Sequence, residues 1–131
     1  NEPYELAIAD FHKALELCKA NDDHSVEYCA DAMGRVAFNL MLLDGDKETL
    51  EKAGEVFERA LDFFQKYAPY SVHVATVLFH LGEIAEAQNG VSELAHRQSL
   101  DLFRQVAPHA TLRGLLEAKI DEMEMDSSLH R

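Results

Sequence analysis

The stretch Phe11-His-Lys-Ala-Leu-Glu-Leu17 returns 46 residues later as Phe57-Glu-Arg-Ala-Leu-Asp-Phe63. An aromatic, two polar residues, an Ala-Leu pair, an acid and a large apolar residue recur in the same order, and the match extends upstream to Ala7 and Ala53. Steps of three and four between Leu6, Ala7, Phe11, Ala14, Leu15 and Cys18 mark one face of an α-helix. Leu50, Ala53, Val56, Phe57, Ala60, Leu61 and Phe64 mark it again. A fixed internal offset of this length points to a chain built from copies of one helical unit, stacked because no copy buries its apolar face alone. A weaker third copy begins at Ala95, with Ser99 and Leu102-Phe103 where the aromatic and the Ala-Leu pair would fall.

The segments between the copies match as well. Met33-Gly34 with Ala37 corresponds to Leu81-Gly82 with Ala85, and Ala-Pro closes two segments, at 68–69 and 107–108. Working outward, the turn signals Asn21-Asp22-Asp23, Asp44-Gly45-Asp46, Ala68-Pro69, Asn89-Gly90 and Ala107-Pro108 divide the chain into six helices. They are predicted at about 4–20, 25–43, 47–67, 71–89, 92–107 and 111–125, with Ser25, Ser71 and Ser92 as openers. The polar end, 126–131, is expected to fray. Short connections make antiparallel neighbours, so residues 1–125 read as one all-α domain of stacked helical hairpins. Ala14, Ala60, Gly34 and Gly82 are the small residues expected where helices cross.

The 131 residues include 47% apolar ones, enough for a core, and few Gly or Pro. Twenty-four acidic against twelve basic residues give a net charge of −12, which repels nucleic acid and anionic membrane surfaces. The longest dense apolar run, Val36 to Leu43, is far short of the ~20 residues of a membrane span. Cys18 and Cys29 show neither a disulfide framework nor zinc spacing, and both read as buried packing residues in a reducing, intracellular, cytoplasmic setting. Asn1 in place of Met reads as the start of a fragment.

Leu81-Gly82, Ala85, Gly90, Ala95 and a closing Pro108 resemble the tetratricopeptide repeat signature, and Ala53, Phe57, Ala60 resemble the second-helix half of that motif. Pro69-Tyr-Ser-Val-His-Val-Ala-Thr76 is similar to the start of the longer, kinesin-light-chain-like form of the repeat. The likeness covers about residues 5–107. It departs from the family at Ala30 and Leu78, where a large aromatic is usual, and in the long loop Leu43 to Glu48. It implies a right-handed superhelix, a first helix of the second type without its hairpin partner, and a concave surface lined by the first helix of each hairpin.

On that implied surface the second helix presents Tyr28, Asp31, Arg35 and Phe38, opposite the stripe Met33, Ala37, Leu40. The fourth presents Thr76, Phe79, Glu83 and Glu86, opposite Leu78, Leu81, Ala85. Phe38 and Phe79 are candidate contact anchors, with core packing the competing reading. Members of the family that grip acidic chaperone tails do so with Lys, Arg and Asn. Here Arg35 is the one cation among the eight, so a basic or amphipathic peptide or helix suits the groove better than an acidic tail.

Chemistry is not signalled. His73 and His80 lie seven apart without a partner motif for a metal, His80 and Glu83 lack a nucleophile, and the six glycines form no phosphate loop. No cofactor, metal or enzymatic activity is expected. The reading is a protein-protein interaction scaffold or adaptor. The alternatives are an acidic chaperone for a basic client such as a histone, and self-association through the exposed first helix as a homodimer.

Overall fold

The computed structural model describes residues 2–18, 23–41, 47–88 and 90–129. They form six helices, α1 (Glu2–Cys18), α2 (Asp23–Met41), α3 (Lys47–Tyr67), α4 (Val72–Ala87), α5 (Glu93–Val106) and α6 (Thr111–Leu129). The chain is therefore all-α, with neighbouring helices packed on each other. Where length predicts one domain, the helices group into two compact units, α1 to α3 and α4 to α6, and each has its own core.

The helix ends follow local chemistry. α1 takes Pro3 into its first turn, where a missing N–H and a fixed φ are harmless. α2 opens at Asp23, which leaves Ser25 inside its first turn instead of before it. Ser71 caps α4 from an extended backbone, its Oγ accepting from the Val74 N–H at 3.4 Å. Ser92 precedes α5 without a side-chain cap bond. α6 continues to Leu129, through polar residues expected to fray, since neither Gly nor Pro interrupts them.

In the first unit α1 packs most extensively along α2, and α3 contacts both. The two copies of the repeat supply matching core residues, because Phe11, Phe57, Ala14 and Ala60 are all 0% exposed. Cys29, Ala32, Met33 and Val36 form the buried face of α2. This stripe turns Gly34 outward, where a Cβ would meet nothing within 4 Å, so Gly34 is not at a helix crossing. The side chains of Ala37 and Leu40 lie outside the described residues. Cys29 is buried as expected but is disulfide-bonded, which the spacing of the cysteines does not signal, and its Sγ lies 3.6 Å from the Ala14 carbonyl oxygen; the side chain of Cys18 lies outside the described residues. The expectation of a reducing compartment, drawn from unpaired cysteines, accordingly has no support from the structure.

In the second unit α5 lies between its neighbours, packed on α4 and on α6, and α6 also touches α4. Ser99, at the place of Phe11 and Phe57 in the weaker copy, is buried and donates to the Ala75 carbonyl at 2.7 Å, letting α5 approach α4 closely. Ala75, Leu100, Phe103, Leu116 and Ile120 make the core cluster. Arg97 with Glu124 and Arg104 with Glu117 join α5 to α6 in antiparallel order. Exposed pairs of this kind contribute ~0–1 kcal/mol each, so the buried apolar cluster holds the unit. No helix among the described residues is long and apolar enough to cross a membrane.

Candidate functional site

The eight residues expected to line a groove fall four in each unit. On α2, Asp31 and Arg35 are exposed, and the side chains of Tyr28 and Phe38 lie outside the described residues. On α4, Thr76, Phe79 and Glu83 are half-buried and Glu86 is exposed, with α6 packed against part of this face. Phe79 is half-buried against the Ala75, Leu100, Phe103, Leu116 and Ile120 cluster, and its ring centroid is 6.3 Å from that of His96. Thr76 donates its hydroxyl to the Val72 carbonyl at 2.7 Å, a bond internal to the helix. Glu83 and Glu86 both receive Lys119 of α6, at 2.7 and 2.6 Å. One ammonium thus meets two carboxylates within the unit.

An open groove runs instead along the first unit, between α1 and α3. At one end Glu5 and Ile8 of α1 face Lys52 and Val56 of α3. At the other, Leu15 and Glu16 face Phe63, Lys66 and Tyr67 around a cavity of about 530 Å³. The two helices therefore run side by side in the same direction. His12 lies midway, its Nδ1 3.4 Å from Nη1 of Arg59, 47 positions on and one from the repeat offset. Translated copies of one helix stand in this relation in a stacked array. Leu15 and Phe63 form an almost buried floor, and Tyr67 leans on Phe63 with ring centroids 4.9 Å apart. On the rim, Glu5, Glu16, Glu55, Glu58 and Asp62 outnumber Lys52, Arg59 and Lys66.

The second unit holds a polar cluster of a different kind. Glu83 and Glu86 stand one turn apart on α4, His96 comes from α5 and Lys119 from α6. His96 is 0% exposed and lies against Gly82, where any Cβ would fall on its ring. Burial holds its imidazole below the ordinary value and the Lys119 charge adds to this, against the pull of Glu83 and Glu86. His80, nearby on α4, is lowered to about 4, again chiefly by burial and against the charge of Glu83. Partial burial works against the Lys119 ammonium, but its hydrogen bonds to Glu83 and Glu86 prevail and hold it above the usual lysine value.

Compared with protein-family models, curated proteins and solved structures, the chain matches none.

His96 and Lys119 are the members of the cluster that patterning misses. The signal for His96 is periodicity, since it precedes Ser99, Leu100 and Phe103 by three, four and seven residues and so falls on the buried stripe of α5. The stripe anchored instead on Ala95 and Leu102, both only half-buried, hides it. The small partner opposite, Gly82, is the second half of the signal. Nothing in sequence places Lys119 beside Glu83, because that pairing depends on how α6 returns across α4.

Proposed function

We propose that this chain is a protein-protein interaction module of tetratricopeptide-like helical hairpins, and that it takes an amphipathic segment with a basic edge into the groove between α1 and α3. The groove itself carries the reading. It follows α3 from Lys52 to Tyr67, roughly 22 Å at a helical rise of 1.5 Å per residue, a length that suits about four turns of a partner helix. Its apolar floor of Ile8, Leu15 and Phe63 offers burial, and its carboxylate-rich rim favours a partner bearing Lys or Arg. The offset of 46 residues, which sets α1 beside α3, supports the repeat architecture. Asp31 and Arg35 give α2 an exposed polar face as a second contact surface.

Ile8→Glu tests the reading, because it places a charge on the apolar floor at a half-buried position. Partner capture is expected to fall by about tenfold or more, with the melt and helical spectrum close to the parent. Unchanged capture by a folded variant would remove the groove from the function. The chaperone alternative rests on the charge of −12. A client held by charge alone would be released steeply as salt rises, whereas a segment seated on Leu15 and Phe63 would be retained.

A further inference from the structure

We propose that Glu83, Glu86 and His96 form a binding site for a divalent transition-metal ion of the zinc type, with Lys119 as a built-in cation that competes for it. The first observation is His96. It is wholly buried, and neither Nδ1 nor Nε2 makes a hydrogen bond. Buried imidazole nitrogens are seldom left in this state, and each such group calls for a ligand or another physical reason. Nε2 lies 3.2 Å from Oε1 of Glu83, within ion-pair distance but outside hydrogen-bond geometry. Two donors that share one metal ion stand in this relation. With bonds of 2.0–2.1 Å in a tetrahedral shell, neighbouring ligand atoms are separated by roughly 3.3 Å and point at the metal and not at each other.

The second observation is the company His96 keeps. Glu83 and Glu86 are i, i+3 on α4, and one donor atom from each of the three residues lies within 4.8 Å of the others. A small change in the Glu86 side chain, which is half exposed, closes the set around an ion. Gly82 is part of the construction, since a Cβ there would drive the imidazole away from α4. The third observation is that the carboxylates already hold a cation. The Lys119 ammonium sits 2.7 Å from Glu83 and 2.6 Å from Glu86, on a side chain that is 25% exposed and long enough to withdraw into water. A divalent ion brings two charges to the carboxylates where the ammonium brings one, and it alone uses the imidazole lone pair. One imidazole with two carboxylates suits Zn²⁺, Co²⁺ or Ni²⁺. It disfavours Mg²⁺ and Ca²⁺, which take oxygen ligands. Three protein donors leave a coordination position for water.

The test is calorimetric titration of the full chain with Zn²⁺ alone, repeated for His96→Gln and Lys119→Gln, with Co²⁺ absorption as a spectroscopic readout of the ligand set. One saturable ion is expected for the parent, weakened by about tenfold or more in His96→Gln and tightened several-fold in Lys119→Gln. Excess Mg²⁺ should leave the titration unchanged. Glu83→Gln, at a partly exposed position, is read in the same way and serves where His96→Gln does not fold. Absence of saturable binding in both the parent and Lys119→Gln overturns the proposal. So does Zn²⁺ binding of equal strength in the parent and a folded His96→Gln or Glu83→Gln variant.

Discussion

His96 can be seated in the core because Gly82 has no side chain. Gly34 holds the same place in the earlier copy of the repeat but faces open space. The two glycines thus give opposite predictions. Gly82→Ala should overpack against the imidazole and cost ~1–3 kcal/mol, and Gly34→Ala should stabilise α2 by ~0.5–1 kcal/mol, both read from denaturant midpoints. Phe79 belongs at this scale too. It packs on Leu100, Phe103 and their neighbours, so Phe79→Ala should lower stability by about 2–3 kcal/mol, whereas an anchor exposed to solvent would leave the midpoint unmoved. His80 adds a pH dependence. Its folded value of about 4 lies below the ordinary 6.5, so the unfolded chain binds this proton first as pH falls. The contribution is fully present above pH 6.5 and is lost between there and about pH 4, up to ~3 kcal/mol. Replacing His80 with Asn should flatten that part of a stability-pH profile.

At the level of the helices, most of the pattern is legible because Pro, Gly and the Ser caps act locally. Ser71 before α4, Pro69 after α3 and Pro108 after α5 mark their ends by chemistry that needs no neighbour. Facing is less legible. The buried stripe of α5 runs through His96, Ser99, Leu100 and Phe103, while Leu94 is 67% exposed, because the choice among adjacent apolar residues is made by α4 and α6. The face of α4 read as solvated is covered in part for the same reason, since α6 packs against Phe79 and brings Lys119 onto Glu83 and Glu86, while Glu86 stays exposed. The disulfide at Cys29 is a further tertiary outcome that an eleven-residue spacing of cysteines does not announce. A reductant should therefore lower the stability of the first unit by about 2–3 kcal/mol, measured by melts with and without dithiothreitol. Identical melts would show that the bond adds nothing.

For the whole molecule, the proposed partner follows from charge and repeat together. The net charge of −12 is not spread evenly in effect, because Glu83, Glu86, Glu117 and Glu124 are matched by Lys119, Arg104, Arg113 and Arg97 within the second unit. On the groove rim of the first unit, carboxylates exceed cations and an apolar floor lies beneath them. The floor was legible in part, since Leu15 and Phe63 belong to the repeated words that define the fold. The groove was not, because only the side-by-side run of α1 and α3 turns two apolar stripes into one concave surface. Site-specific photo-crosslinking from positions 12 and 62 on the groove, with position 31 on α2 as the comparison, tests this claim most directly. Peptide mapping of the products should show one partner segment, apolar along one side and basic along its edge, joined through positions 12 and 62. Crosslinks confined to position 31, or none from the groove while the partner remains bound, would contradict it.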